Sequence, residues 1–428
     1  MHRWIGRCVL ALTAFAAALP VGIPIASKVR LANAAACSEI VAGAVLSLTG
    51  EHSAGGNDVR NGYEFAVRRL TERGGLRLGD RCYNLRIIYH DDESNPARAS
   101  ELAERLVSRD NVRFLLGPYG VARTEAVAAV ARRRQVPLIA IEGRRPPPGT
   151  PPERRFVFPI MPSPGRTLSG FADYLAHLAA EVGREPGHLR LALLTEDARA
   201  DDGGRALLHS HSRQLGINVT LDEDFDREPG DLSQLLARVK ADRPDVLLID
   251  AHAGAARRAL AAIDEMAVEV PILAMTNCES ARVTRSKAPQ RDYLLCVSRW
   301  GVDFGRRDEL LGTSAAFERE LIAARRAAGA SNAMAPVPAQ TAYAAAAVRV
   351  LATAIETAGT PDHFQVRDAL ARISVETLVG RISFQSADPE PPASPLVRQI
   401  VSGRYVPVWP LTVATDNYRW PRVPNGPF

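Results

Sequence analysis

The sequence predicts an α/β protein made of two doubly wound parallel-sheet lobes. Three observations carry this prediction. Short β-rich runs alternate with helical periods from Ile40 onward, and the same rhythm starts afresh after Pro162. The 428 residues also suffice for more than one core, at roughly 100–200 residues per domain.

The beginning of the chain is unlike the rest. Arg3 and Arg7 make a basic start, Val9 to Ile25 is almost wholly apolar or small, and Ala32 and Ala34 to Ala36 form a small-residue exit. This is the pattern of a secretory signal peptide, so residues 1–36 are expected to be removed on export to the periplasm. A spanning helix needs about 20 apolar residues, and Pro20 and Pro24 interrupt the run before that length, so cleavage is expected rather than anchoring. Cleavage removes Arg3, Arg7, Lys28 and Arg30 and no acid, which brings the formal balance of +5 close to neutrality. No concentrated basic face remains, and no nucleic acid is expected as a partner. Arg132, Arg133 and Arg134 end an expected helix, where cations suit the dipole.

Export leads into an oxidising compartment, where disulfides persist. Cys8 leaves with the signal, and Cys37, Cys82, Cys278 and Cys296 remain. Cys37 lies three residues before the apolar run at Ile40, and Cys82 three before the run at Leu85. If those runs are adjacent parallel strands, the two sulfurs sit at one level and a bridge between them is natural. Cys278 and Cys296 fall near later strand ends and form the second candidate pair. The alternative for Cys37 is lipid attachment, because Ala34-Ala35-Ala36-Cys37 loosely resembles a lipoprotein cleavage box, although Lys28 and Arg30 separate it from the apolar stretch. The cysteines lack the paired spacing of a zinc site.

Ile40 to Leu46 reads as the first strand, followed by a helix carrying Val59, Gly62, Tyr63, Ala66, Val67 and Leu70 and stopped at Gly74-Gly75. Leu85 to Tyr89 is the second strand. Asn95 caps and Pro96 opens a helix that buries Ala99, Leu102, Ala103, Leu106 and Val107. Val112 to Leu116, a helix over Ala122 to Arg134, and Val136 to Ile141 complete the first layer. The segment from Pro146 to Pro152 reads as a stiff surface loop.

The second layer opens with a helix over Arg166 to Val182 and the strand Leu189 to Thr195. A helix over Gly203 to Gln214 and the strand Val219 to Leu221 follow, and then a helix over Leu232 to Val239 with the strand Val246 to Ile249. A helix over Ala255 to Met266 leads to the strand Ile272 to Met275. Strand, helix, strand at this spacing implies right-handed parallel crossovers. A long Ala-rich helix over Gln340 to Ala358 carries Val348, Leu351 and Ile355 on one face. Short β-like runs at Val379 to Phe384 and Val397 to Val401 precede a tail rich in Pro and Trp.

Several of these segments match a known family in order. Val41 to Gly50 (VAGAVLSLTG), the helix ending Gly74-Gly75, Asp91-Asp92-Glu93-Ser94, Gly117-Pro118-Tyr119 and Val136-Pro137-Leu138 resemble the leucine/isoleucine/valine-binding family of type I periplasmic binding proteins. Arg243 to Leu247, Ser298-Arg299-Trp300 and Gly380 to Phe384 are similar to the same family, so the likeness runs from Ile40 to Pro410. The resemblance implies two Rossmann-like lobes joined by three hinge crossings. Residues 37–160 with 299–372 would form the N-terminal lobe, 161–298 with 373–410 the C-terminal lobe, and 411–428 a tail. It also implies hinged closure on a ligand and delivery to an ABC-type permease.

In doubly wound sheets, ligands bind beyond the carboxyl ends of the strands, where loops and helix N-termini converge. The candidate ligand residues are therefore Thr49, His52, Ser53 and Asn57 after the first strand. Tyr119, Gly120 and Thr124 follow the third strand, and Glu142, Gly143 and Arg144 the fourth. The second lobe offers His252, Thr276 and Asn277, with Trp300 near a crossing. By resemblance to the amino-acid binders, the turn at Gly117 to Gly120 and the segment Glu142 to Arg144 would hold a ligand's carboxylate and ammonium. The His252 position would carry Tyr or Phe, and an acid would stand near Thr276. This chain departs from that pattern: hydroxyl-bearing residues are missing around Val121 and Ala122, Glu142 and Arg144 replace small or hydroxylic ones, and Thr276 is no acid. Glu142 is then a candidate for an ammonium and Arg144 for a carboxylate.

No metal, cofactor or catalytic residue is expected. Asp91, Asp92 and Glu93 are adjacent on an extended segment, so they point alternately, and they suit a helix start. His209 and His211 are two apart on an expected helix and do not face one another. No Gly-x-Gly-x-x-Gly follows the first strand, and no Gly-x-Ser-x-Gly elbow is present. The expected role is a monomeric receptor of an ABC-type importer that captures an amino acid, amide or small carboxylate. A ligand sensor of the same fold, reporting to a membrane signalling partner, is the alternative.

Overall fold

A computed structural model describes residues 37–143, 150–151, 154–196, 204–225, 229–281, 293–329, 334–385 and 394–419. The expected signal peptide, Arg144 and the Pro-rich segment other than Thr150 and Pro151 lie outside them.

The first part of the chain runs β1 (Ser38–Leu46), α1 (Ser53–Glu72), β2 (Leu76–Leu78), β3 (Arg81–Asp91), α2 (Pro96–Ser108), β4 (Phe114–Leu116), α3 (Val121–Arg134), β5 (Leu138–Ala140) and β6 (Val157–Pro159). These strands form one six-stranded sheet in the order β2-β3-β1-β4-β5-β6. All its pairings are parallel except that of the edge strand β2 with β3. The Asn95 side chain accepts from the Ala97 and Arg98 amides, with Pro96 in the first turn, and so starts α2 as its residue types dictate. Residues of α1 pack on one face of the sheet, and residues of α2 and α3 on the other.

The register of β1 on β3 pairs Ile40 with Leu85. That pairing brings Cys37 to the level of Cys82, and the two form a disulfide with Cα atoms 4.8 Å apart. A bonded Cys37 has no thiol left to acylate.

A second run comes next: α4 (Pro164–Glu181), β7 (Arg190–Glu196), α5 (Gly204–Leu215), β8 (Asn218–Phe225), α6 (Pro229–Asp242), β9 (Val246–Asp250), α7 (Ala253–Glu265), β10 (Ile272–Thr276), α8 (Cys278–Ala281) and β11 (Leu295–Ser298). Residues of α4 and α5 pack on one face and those of α6 and α7 on the other. Cys278 and Cys296 are joined, with Cα atoms 5.6 Å apart.

The chain then returns to the first core through β12 (Arg307–Asp308), β13 (Gly312–Thr313), α9 (Ser314–Ala327), α10 (Ala339–Ala358), α11 (His363–Leu370) and the hairpin β14 (Ser374–Thr377) with β15 (Gly380–Ser383). Helix α10 is buried around its whole circumference, not on one face. Gly62 of α1 lets the Thr341 carbonyl approach, and buried Arg349 reaches Glu309 at 3.1 Å. Ile373, Val375, Leu378, Ile382 and Phe384 belong to this same core, with the Phe384 ring 5.1 Å from that of Phe158. Residues 373–384 therefore pack with the first sheet, later in the chain than the expected exchange at 373.

Finally β16 (Leu396–Val401) and β17 (Arg404–Trp409) extend the second sheet, whose order is β17-β16-β11-β10-β9-β7-β8. β16 and β17 are antiparallel additions to five parallel strands, so this sheet is parallel-dominated and mixed.

Candidate functional site

The carboxyl ends of the two sheets face one another. From the first sheet come the loop after β1, the turn after β4 and the residues after β5. From the second come Glu196 at the end of β7, His252 after β9, and Thr276 and Asn277 at the end of β10. Two kinds of contact join them.

The first is a packed group of rings. His52 lies edge-on to His252 with ring centroids 5.0 Å apart, and Tyr119 lies edge-on to His252 at 5.2 Å. His52 and Tyr119 are buried. Nearby, Arg258 of α7 donates to the Glu51 carboxylate at 3.1 Å. His252 precedes the first turn of α7, and the Glu196 carboxylate accepts both its backbone N–H at 2.7 Å and its ring Nδ1 at 3.0 Å. Burial pushes Glu196 up, but the hydrogen bond and charge of His252 outweigh it and hold the carboxyl down to about 2. Burial pulls His252 down, yet the hydrogen bond and charge of Glu196, helped by Glu142, leave its pKa raised. The Tyr119 hydroxyl is buried with no hydrogen-bond partner among the described residues, and burial together with the Glu142 carboxylate raises its pKa.

The second contact is a polar cavity beside the strand crossings. The first sheet supplies Glu142. The crossing after β6 and the start of α4 supply Met161 and Thr167. The second sheet supplies Thr276, Asn277 and Glu279, with Val297, Ser298 and Arg299 leading into the next crossing. The start of α10 closes it with Ala339 and Gln340. Arg299 spans these pieces: its Nε donates to Thr167 Oγ1 at 2.9 Å, and its guanidinium stands 3.0 Å from Met161 Sδ and 3.6 Å from Glu142 Oε1. Glu279 is buried against Arg398 at 3.3 Å, and Arg398 is also held by Asp303 at 2.7 Å. Burial raises the Glu279 pKa more than Arg398 lowers it.

Two facing α/β sheets with a polar cavity at their carboxyl ends are matched by sequence over residues 39–404. The chain belongs to the periplasmic binding protein family. It is 21% identical over 215 residues, 50% of its length, to Leu/Ile/Val-binding protein homolog 8 of Brucella abortus, covering 52% of that relative. It is 24% identical over 213 residues to Leu/Ile/Val-binding protein BraC3 of Rhizobium johnstonii, covering 54% of it. The chain thus spans about half the length of the curated relatives it matches.

Solved structures share the type I periplasmic binding protein fold. The branched-chain amino acid transporter substrate binding protein LivJ of Streptococcus pneumoniae, in complex with isoleucine, matches with TM-score 0.66 and 17% identity, over 86% of this chain and 98% of that one. A solute binding protein of R. palustris in complex with benzoate matches with TM-score 0.67 and 18% identity, over 87% and 96%.

Within this family member the candidate residues fall into three groups. Glu142, Thr276 and Asn277 line the cavity. His52, Tyr119 and His252 form the ring contact. The others have local tasks. Thr49 donates to Asp91 at 2.7 Å, Asn57 is exposed and donates to the Leu48 and Ser53 carbonyls, and Ser53 opens α1. Gly120 precedes α3 at φ 89, and its carbonyl accepts from the fully buried Thr124 hydroxyl at 2.9 Å. Gly143 has φ 139, and Arg144 lies outside the described residues.

Trp300 is a correction. Its indole N–H donates to the Leu378 carbonyl at 2.8 Å and its ring packs on Phe317, so it belongs to the first core and not to the cavity. Glu196, Arg299, Thr167, Glu279 and Gln340 were not anticipated. A signal existed for two of them: Glu196 directly follows the expected strand ending at Thr195, and Arg299 stands within the family-like Ser298-Arg299-Trp300.

Proposed function

We propose that the chain is an extracytoplasmic solute-binding receptor that captures a small polar organic solute, of the amino acid, amide or small carboxylate class, by closure of two lobes. The observation that supports this reading is the cavity, whose walls come from the carboxyl ends of both sheets and from two of the crossings between them. A ligand there touches both halves at once, so it favours the closed arrangement by its differential affinity. The lobes are read as 37–160 with 299–384, and 161–298 with 396–410, in keeping with the residues that share each core. Export by cleavage of 1–36, action as a monomer, and delivery to an ABC-type permease complete the proposal. The structural neighbours' isoleucine and benzoate are of similar size and support a small ligand.

The test is thermal unfolding and titration calorimetry of the exported protein against amino acids, amides and small carboxylates. A true ligand at about 100 times its Kd stabilises the folded state by about 2.7 kcal/mol. If no compound of a broad panel gives saturable binding, the receptor reading fails.

A further inference from the structure

Resting on the receptor reading, we propose that the solute carries a protonated amine that binds Glu142, and that a carboxylate on it is dispensable. The argument starts at the N-terminus of α3, whose exposed amides and dipole make a place for an anion. In this chain the place is taken by the protein itself, because Glu142 Oε2 accepts the Gly120 N–H at 3.1 Å. A ligand carboxylate at this position would displace a tethered carboxylate or stand against it.

The other carboxylate oxygen is the useful one. Among the described residues, Glu142 Oε1 receives no hydrogen bond, and its ion-pair partner Arg299 stands 3.6 Å away. That distance is a charge contact, not a hydrogen bond. Arg299 is held in place by Thr167 Oγ1. Glu142 therefore presents to the cavity a charged acceptor whose hydrogen-bonding capacity is unmet.

The remaining polar walls point the same way. The Thr276 hydroxyl donates to Asp250 at 2.8 Å, the Ser298 hydroxyl donates to the Trp300 carbonyl at 2.9 Å, and the Asn277 amide nitrogen donates to the Ala251 carbonyl at 2.9 Å. These protons are committed to the protein, and the Thr276 and Ser298 oxygens already accept from the Ala251 and Trp300 amides, so these side chains offer a ligand carboxylate no donor of their own. Of the two carboxylates that line the cavity, Glu279 is already paired with Arg398 at 3.3 Å, which leaves Glu142, beside Arg299, with an oxygen unmet. That acceptor is completed by a donor that carries a positive charge.

The experiment is titration calorimetry of the full exported chain against matched sets that share a carbon skeleton and differ in charge. Suitable sets are putrescine, 4-aminobutyrate and succinate; leucinamide, leucine and 4-methylpentanoate; and phenylalaninamide, phenylalanine and 3-phenylpropanoate. In every set that binds, the amine-bearing members are expected to bind and the acid without an amine is not. Glu142→Gln, checked for an unchanged melting profile, is expected to weaken the amines about 10- to 100-fold, as fits loss of a charge-assisted hydrogen bond. An acid that binds as tightly as its amine counterpart overturns this inference and leaves the receptor reading standing. Failure of every set overturns both. The wild-type comparison decides the matter even if the variant does not fold.

Discussion

Replacing Glu196 by Gln tests the pair that holds the loop after β9 to the end of β7. The variant keeps a side-chain carbonyl for the His252 backbone N–H and removes the charge that the imidazolium sees. A carboxyl held at about 2 against its ordinary 4.5 corresponds to about 3 kcal/mol of folding stability once Glu196 is ionised in both states. The raised pKa of His252 reports the same interaction from the other partner, so the two effects are not added. The signs differ. The Glu196 contribution is present above its unfolded value of 4.5 and is lost as the pH falls toward about 2. The His252 contribution is complete below its unfolded value of 6.5 and is lost as the pH rises through its raised folded value. The window in which both hold is therefore 4.5 to 6.5. Urea unfolding of the wild type and Glu196→Gln across the pH range is expected to show a gap of about 3 kcal/mol in that window, narrowing on both sides. A gap independent of pH, or one that widens toward acid, would refute the assignment of this pair.

The disulfides and the buried indole give two further outcomes. The disulfides close chain separations of 45 and 18 residues, so loop-closure entropy predicts losses of about 4 kcal/mol for the Cys37→Ser/Cys82→Ser variant and about 3 kcal/mol for Cys278→Ser/Cys296→Ser. Urea midpoints with the reverse order would show that unfolded-chain entropy does not govern these bridges. Trp300→Phe removes one buried hydrogen bond and is expected to cost about 1–2 kcal/mol with ligand affinity unchanged. Weakened binding at unchanged stability would return Trp300 to the ligand site.

The alternation of strands and helices was legible because each element long enough to show a period carries its own signal. The helix expected from Gln340 to Ala358 is observed as Ala339–Ala358, and the strand expected from Ile40 to Leu46 as Ser38–Leu46. The strands β2 and β6 left no such trace: β2 is three residues between Gly75 and Gly79, and the short run of β6 ends at Pro159. β17 was hidden for another reason: Pro407 in Arg404–Trp409 argues against a strand. It is tolerated because β17 lies at the sheet edge, and Pro407 faces Arg398 beside an irregularity in the register. The disulfide partner of Cys37 was legible because equal offsets from two strand starts become equal heights once the strands pair in parallel.

The site was legible as a set of loops and not as a set of roles. The rule that ligands gather beyond strand carboxyl ends selected segments that meet at the ring contact and the cavity, but a loop that reaches the cavity must also be held together, and that task absorbs some of its polar residues. Thr49 and Asn57 have the same chemistry as a ligand contact and instead satisfy Asp91 and the Leu48 carbonyl. Which residue does which depends on partners distant in sequence. The segment Ser298-Arg299-Trp300 shows the point most clearly. The strand β11 ends at Ser298 and the chain bends at Arg299, so Arg299 and Trp300 do not share a destination. Size and aromaticity favour Trp300 as the ligand contact. The indole, however, finds apolar neighbours and the Leu378 carbonyl in the first core. The guanidinium that remains is directed to Thr167 and Glu142, and the cation at this crossing lines the cavity because the aromatic beside it is needed to fill the core.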